Sequence, residues 1–168
     1  MGSQETSSFE IVGAGPFRII GISYTGKAES SEMQELWDRK FLPRLGEIQK
    51  PAAYAGFGVC RCVPGAKDGT FEYIAAVEAD ANSPVPEGMM EVEIPRGDYA
   101  VISVPNLSEI MQGWQSAAAA VAAAPEWEAY CGPAGCECAT HPCFEFYPPG
   151  YKDDGPFSIY IPVRRKAS

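Results

Sequence analysis

The chain has 168 residues, of which 46% are hydrophobic and 21% are charged, and this composition excludes a mainly disordered protein. Its formal net charge of -9 repels phosphate backbones, so we expect no direct binding of nucleic acid. No run approaches the roughly 20 apolar residues of a membrane span, and the start lacks the basic and apolar regions of a secretion signal. We therefore predict a cytoplasmic protein whose cysteines are mostly reduced.

The first half of the chain predicts one strand, one helix and two further strands. Residues 1–8 are small and polar, which favours a flexible N-terminus. The apolar, β-branched run 17–24 predicts a strand, and apolar residues at helical spacing predict a helix over about 31–48. The runs 54–63 and 71–79, joined by a segment rich in turn-forming residues, are typical of a hairpin.

The second half repeats this order after a proline-rich loop. Runs at 90–94 and 99–104 predict strands, and an alanine-rich stretch with Asn106 as its cap predicts a helix to about residue 124. Residues 126–142 have no regular pattern, and 144–147 with 157–163 predict a closing hairpin.

Two such halves predict an α+β fold made of a duplicated β-α-β-β unit with a pseudo-two-fold. The two helices would pack on an antiparallel sheet, and a ligand cleft would lie between the halves. We expect one domain over 9–165, with pseudo-repeats at about 9–82 and 88–165.

Glu145 is the residue that most suggests a function. It lies within Phe144-Glu145-Phe146-Tyr147, so on a strand Phe144 and Phe146 would face the core while Glu145 and Tyr147 share the other face. A carboxylate among aromatic rings costs free energy unless something compensates its charge. An apolar cation would do so, because aromatic faces also attract cations. The alternative is an ordinary carboxylate exposed at the rim of an edge strand.

Several aromatic residues are candidates for the walls of this cleft. Each also has an ordinary packing interpretation, because aromatic residues at helical or cross-strand spacing usually belong to a core. The ligand-binding candidates beside Glu145 are Tyr147, Trp114, Tyr160, Trp37, Phe41 and Tyr24.

The order of these motifs resembles GyrI-like domains, the effector-binding domains of AraC- and MerR-type regulators such as BmrR. The similarity rests on five short segments across about 9–165, which are 17–22, 96–101, the helix with Trp114, 144–147 and 159–163. It implies a duplicated strand–helix–strand–strand fold and a cleft for bulky hydrophobic, often cationic, molecules. Glu145 matches a glutamate that faces the cleft on the family's penultimate strand. The chain departs from the family at 125–143, where a simpler link is usual.

The sequence is compatible with three uses of the site. The first is binding of drugs or toxins. The second is hydrolysis, since the resemblance implies that some free-standing members are similar to hydrolases that open the cyclopropane ring of DNA-alkylating natural products. Glu145, whose pKa burial would raise, would then act as general acid or base with Tyr147 as the second catalytic candidate. The third is a ligand sensor acting on a separate, unknown protein partner. No cofactor is expected.

The segment 131–143 is rich in cysteine and leaves a metal or redox role open. Its spacing lacks the Cys-x-x-Cys pair typical of zinc sites, so individually packed thiols are the favoured interpretation over a metal site or disulfides. Cys60, on an earlier strand, is placed to approach this segment in space. The candidate ligands are Cys131, Cys136, Cys138, His141 and Cys143.

Overall fold

The computed structural model describes residues 9–26, 30–62, 70–132, 135–136, 141–151 and 155–166. Strands dominate it, as the many short β-branched and aromatic runs predict. They are β1 (Glu10–Ala14), β2 (Phe17–Gly26), β3 (Gly56–Cys62), β4 (Phe71–Glu78), β5 (Met90–Ile94), β6 (Gly97–Val104), β7 (Trp127–Ala129), β8 (Cys131–Gly132), β9 (Gly135–Cys136), β10 (Cys143–Tyr147) and β11 (Phe157–Arg165).

Two helical segments lie between the strands. The first is continuous over the predicted range but changes its winding, from the α-helix α1 (Ser30–Glu35) to a π-helical turn (Leu36–Phe41) and a 3₁₀ turn (Leu42–Glu47). Pro43 lies near the start of the 3₁₀ turn, where its missing N–H costs least. The second is the α-helix α2 (Ile110–Ala123), preceded by a 3₁₀ turn at Leu107–Glu109.

The sheet has a symmetrical strand order, β1-β6-β11-β10-β3-β4-β2-β5, with β7 added beside β11. All of its pairings are antiparallel. Exchanging β1 with β5, β2 with β6, β3 with β10 and β4 with β11 reverses this order without changing it. That is the arrangement expected of a pseudo-two-fold, and its centre falls between β3 and β10. The boundaries of the two repeats stay a prediction.

The sheet is curled, and each face carries its own core. On one face, Val92 and Ile94 of β5 share a cluster with Tyr99 of β6 although these strands lie towards opposite ends of the order. The other face is covered by α2 and by the first helical segment. An α+β fold with two helices on a curled antiparallel sheet is confirmed. Glu145 lies on the face that the helices cover, in the strand next to the centre of the sheet.

The structure adds to or departs from the sequence prediction at three places. No strand was predicted before β2, yet β1 forms an edge strand against β6. The region 126–142 is not wholly irregular, because β7 pairs with β11 and the backbones of β8 and β9 pair with each other. Asn106 occupies the N-cap position as predicted, but its side chain makes no capping bond and instead accepts a hydrogen bond from the Ser108 hydroxyl.

Candidate functional site

The Glu145 carboxylate is buried, with 3% of the residue exposed, and three aromatic side chains donate hydrogen bonds to it. The hydroxyls of Tyr73 and Tyr147 both lie 2.8 Å from Oε1. The indole Nε1 of Trp114 lies 3.0 Å from Oε2. A carboxylate has about four acceptor positions, of which these donors fill three.

Trp37 extends this group by one residue. Its indole Nε1 donates to the Tyr73 hydroxyl over 2.9 Å, so that hydroxyl accepts one hydrogen bond while donating another. The Trp37 ring also meets the Tyr147 ring edge-on, with 5.8 Å between centroids. Each helical segment thus contributes one tryptophan, and two strands contribute one tyrosine each. We call these five residues, Trp37, Tyr73, Trp114, Glu145 and Tyr147, the Glu145 shell.

Small residues on β3 make room for the shell. The register of β10 and β3 places Gly58 directly opposite Glu145, and Gly56 opposite Tyr147. A Cβ on Gly58 would overlap both the Tyr73 hydroxyl oxygen and Glu145 Oε1. The two oxygens that form the 2.8 Å hydrogen bond therefore meet in the space that a side chain at position 58 would fill.

Burial governs the protonation of the shell. It raises the pKa of Glu145, although the hydrogen bonds from Trp114, Tyr73 and Tyr147 act in the opposite direction. Burial also raises the pKa of Tyr73 and of Tyr147 well above that of a free phenol, and the neighbouring carboxylate adds to this. Both phenols stay protonated and act as hydrogen-bond donors. Glu145 is the carboxylic acid of the shell, and burial disfavours its charged form.

The charge of Glu145 has no cationic partner among the described residues. Their ion pairs all lie elsewhere, and no arginine or lysine contributes to the pKa of this carboxylate. Two surface cavities of about 600 and 330 Å³ are also elsewhere and are not lined by any shell residue. Aromatic side chains thus occupy the space around the carboxylate and close the site at this point.

The remaining aromatic candidates lie outside the shell. Phe41 is fully buried and packs edge-on against Trp37 at 5.6 Å, so it supports a shell residue from behind. Tyr24 is cross-strand from Tyr73 and belongs to the same cluster. Tyr160 is cross-strand from Phe144 and stacks on it at 4.9 Å, which places it on the opposite face of the sheet.

Tyr73 was not singled out from the sequence, although it donates directly to the carboxylate. The available signal was the alternation along β4, which places Tyr73 on one face with Ala75 and Val77. The order of the strands in the sheet could not be predicted from the sequence. Only when β3 lies between β4 and β10 does Tyr73 reach Glu145, across Gly58.

The cysteine-rich segment is only partly described. Cys138 and the side chains of Cys131 and Cys136 lie outside the described residues. His141 stacks on the Tyr130 ring with 4.0 Å between centroids, and Cys143 is a free thiol. Within the described part of the chain, no group of three or more His, Cys, Asp or Glu residues is placed to hold a metal ion.

A family model described as "Cass2: Integron-associated effector binding protein" matches residues 10–163. The chain belongs to the Cass2 family. This agrees with the GyrI-like, effector-binding fold that the motif order predicts, and it makes binding of an effector the general function of the family.

Two solved structures share the fold of this Cass2-family chain. One is SAV2435 bound to tetraphenylphosphonium, with a TM-score of 0.63, 15% identity and 94% coverage of each chain. The other is the integron cassette protein VCH_CASS2 of Vibrio cholerae, with a TM-score of 0.60 and 19% identity, covering 95% of this chain and 100% of the other. At these identities the likeness establishes the fold alone.

A curated relative of the Cass2-family chain is the transcriptional regulator BrlR of Pseudomonas aeruginosa, 35% identical over 101 residues. The match covers 57% of this chain and 36% of BrlR, so it spans about a third of the regulator's length. In the parts of the chain that the structure describes, no helix has both the length and the apolar character needed to cross a membrane.

Proposed function

We propose that this chain binds a bulky apolar monocation, with Glu145 as the counter-charge and the surrounding rings as walls. The observation that carries the proposal is a buried carboxylate held only by neutral donors. These donors satisfy its hydrogen bonds but leave its charge uncompensated. The predicted cytoplasmic location belongs to the same proposal.

The chemistry of the shell suits a delocalised cation better than a metal ion or an ammonium. A compact cation must give up a strongly bound hydration shell on entering an apolar site, whereas a cation wrapped in apolar groups gives up little. Aromatic faces attract the charge further, and tryptophan is the best of them. The shell offers two indoles and two phenols around one carboxylate. The tetraphenylphosphonium carried by the solved relative is of this class.

The exposure of the shell residues suggests how a ligand enters. Tyr73 and Tyr147 are buried together with the carboxylate, whereas Trp37 and Trp114 are partly exposed. Binding would therefore displace one or both indoles while the two phenols keep the carboxylate in place. The displaced rings then become the walls of the opened site.

Tetraphenylphosphonium titration tests this proposal, with tryptophan fluorescence as the signal. Glu145→Gln keeps the size of the side chain and removes its charge. We expect at least about a tenfold loss of affinity, because removing one member of a buried charge pair typically costs more than 1.4 kcal/mol. Triphenylphosphine oxide, which is bulky but neutral, should bind the two proteins with similar affinity.

Glu93→Gln is the matched control, because it removes the same formal charge from an exposed position on β5. It should leave the affinity for tetraphenylphosphonium unchanged. Equal affinity of the wild type and Glu145→Gln for the cation would refute the proposal. Equal losses in both variants would show that only the overall acidic charge attracts the ligand.

Ring-opening hydrolysis is a second candidate, and the raised pKa of Glu145 favours it. A carboxylic acid whose proton is exchangeable nearer to neutral pH can serve as general acid or base. Tyr147 would then orient Glu145 as a hydrogen-bond donor, since its own phenol stays protonated. Incubation with a cyclopropane-bearing alkylator tests this. A water adduct formed by the wild type and lost in Glu145→Gln would support it, whereas no adduct with the wild type would contradict it.

A regulatory role is the third candidate, supported by the similarity to part of BrlR. In that case the opened shell would act as a signal to a protein partner. Pull-down of partners with and without tetraphenylphosphonium tests it. A partner that binds only in one of the two conditions is the expected result.

A further inference from the structure

Two cysteines lie opposite each other at the centre of the sheet. The register of β3 and β10 pairs Cys60 with Cys143, one pleat along from the pair formed by Gly58 and Glu145. Both are free thiols and both retain partial exposure. Alternation along β10 places Cys143 on the face of Glu145, and Cys60 is opposite it on the same face. The expected approach of Cys60 to the cysteine-rich segment is therefore met by Cys143.

The register alone brings this pair within bonding range. Residues directly opposite in an antiparallel ladder have Cα atoms about 4.5 or 5.5 Å apart, depending on the type of pair. Disulfides span Cα separations of about 4.4–6.8 Å, so either type fits. Burial raises the pKa of Cys60, and the nearby Glu145 and Cys143 raise it further. The register likewise places Glu145 two residues from Cys143 on the same face of β10.

We propose that Cys60 and Cys143 form a reversible dithiol–disulfide couple, oxidised by low-molecular-weight organic disulfides. The thiolate of one cysteine attacks a sulfur of the reagent, and the thiolate that leaves takes up the proton lost by the cysteine. The second cysteine then attacks the protein sulfur of the mixed disulfide and releases the second reagent thiol. Two protein thiols are oxidised, one reagent disulfide is reduced to two thiols, and two electrons are transferred.

This disulfide would join the two halves of the chain. Cys60 belongs to the first half and Cys143 to the second, and β3 and β10 meet at the centre of the strand order. A bond there fixes the position of β10 relative to β3, two residues away from Glu145. The couple is independent of the proposed cation, because it needs only the register and the two thiols.

The burial of the two thiols predicts that their oxidation by a disulfide is slow. Burial raises the pKa of Cys143 to about 12 and also raises that of Cys60, so little thiolate is present near neutral pH. Attack on a disulfide requires the thiolate. Oxidation should therefore take longer than that of an exposed thiol and should accelerate at higher pH.

Incubation of the full chain with oxidised glutathione, followed by non-reducing proteolysis and mass spectrometry, tests the couple. We expect a peptide pair linked through Cys60 and Cys143 within one chain, with a loss of two hydrogens, and full reversal by excess reduced glutathione. Cys143→Ser should abolish this link. It should leave Cys60 as a mixed disulfide with glutathione.

A second variant separates this pair from the other thiols. In a chain that carries Cys62→Ser, Cys131→Ser, Cys136→Ser and Cys138→Ser, the same link should form at a rate within about twofold of the wild type. If that variant does not fold, the peptide map of the wild type decides the question. Persistent mixed disulfides on both Cys60 and Cys143, or links only to other cysteines or other chains, would overturn the proposal.

Discussion

Tyr73 connects the two halves of the hydrogen-bond network around Glu145. Its hydroxyl receives the Trp37 indole and donates to Oε1, so one oxygen atom links the first helical segment to β10. The remaining donors reach the carboxylate directly. Removing this hydroxyl affects two buried partners at once, whereas removing the Tyr147 hydroxyl affects only one.

Tyr73→Phe is therefore expected to lower the free energy of unfolding. A buried group left without its partner costs about 1–3 kcal/mol, and this substitution removes the acceptor of Trp37 and a donor to Glu145. Urea unfolding followed by far-UV circular dichroism measures the loss. Tyr160→Phe is the matched control, since Tyr160 lies on β11 and on the face of the sheet opposite to Glu145. Similar losses in the two variants would mean that the network adds no stability beyond ordinary packing.

The raised pKa of Glu145 predicts a pH dependence of stability. Because the folded protein holds this proton more tightly than the unfolded chain, the contribution of Glu145 is greatest below the unfolded carboxyl pKa of about 4.3. It decreases as the pH rises through the higher folded pKa. The wild type should thus lose stability relative to Glu145→Gln between about pH 4 and the folded pKa. Urea unfolding of both proteins at several pH values measures the difference. A relative gain would show that the hydrogen bonds outweigh burial.

At the level of strands, alternation was predictable and register was not. The period of two placed Phe144 and Phe146 on one face and Glu145 with Tyr147 on the other, and the core clusters agree. The same rule set Tyr160 apart from its neighbours Ile159 and Ile161, which is also observed. Whether Tyr160 or Ile159 lies on the same face as Glu145 depends on the register between β10 and β11. A shift of one residue in that register would exchange the two.

The closed state of the site also could not be read from the sequence. It depends on a contact across three strands, in which Tyr73 on β4 passes over Gly58 on β3 to reach Glu145 on β10. Glycine at position 58 has no local signature, because it lies inside a strand with other small residues. The need for glycine there becomes clear only when Tyr73 and Glu145 are placed on either side of it.

Gly58→Ala tests this contact. The added methyl group would overlap the Tyr73 hydroxyl and the Glu145 carboxylate, both of which are buried. We expect the free energy of unfolding to fall by about 1–3 kcal/mol, as for overpacked cores. The wavelength of tryptophan emission should also shift, because the hydrogen bond between Tyr73 and Glu145 breaks next to Trp37. Gly13→Ala on β1 is the matched control, since its Cβ would meet nothing within 4 Å. An unchanged stability of Gly58→Ala would contradict the tight packing of the shell.

For the whole molecule, the exchange of strands between the halves predicts that neither half folds alone. Three strand pairs cross between them, namely β1 with β6, β2 with β5 and β3 with β10. Fragments 1–85 and 86–168 should each lack cooperative unfolding, and mixing them should restore it, as measured by circular dichroism and thermal melting. A cooperative transition of either fragment alone would contradict this expectation.

The symmetrical order of the sheet has one further consequence, for the orientation of a ligand. Both halves supply an indole to the shell, but across the centre of the sheet a carboxylate on β10 faces a glycine on β3. The second half supplies the charge, and the first half supplies only space. A ligand held there meets similar walls on two sides and a single negative pole. A molecule with one off-centre positive charge would therefore bind in one orientation, although the walls alone would accept two.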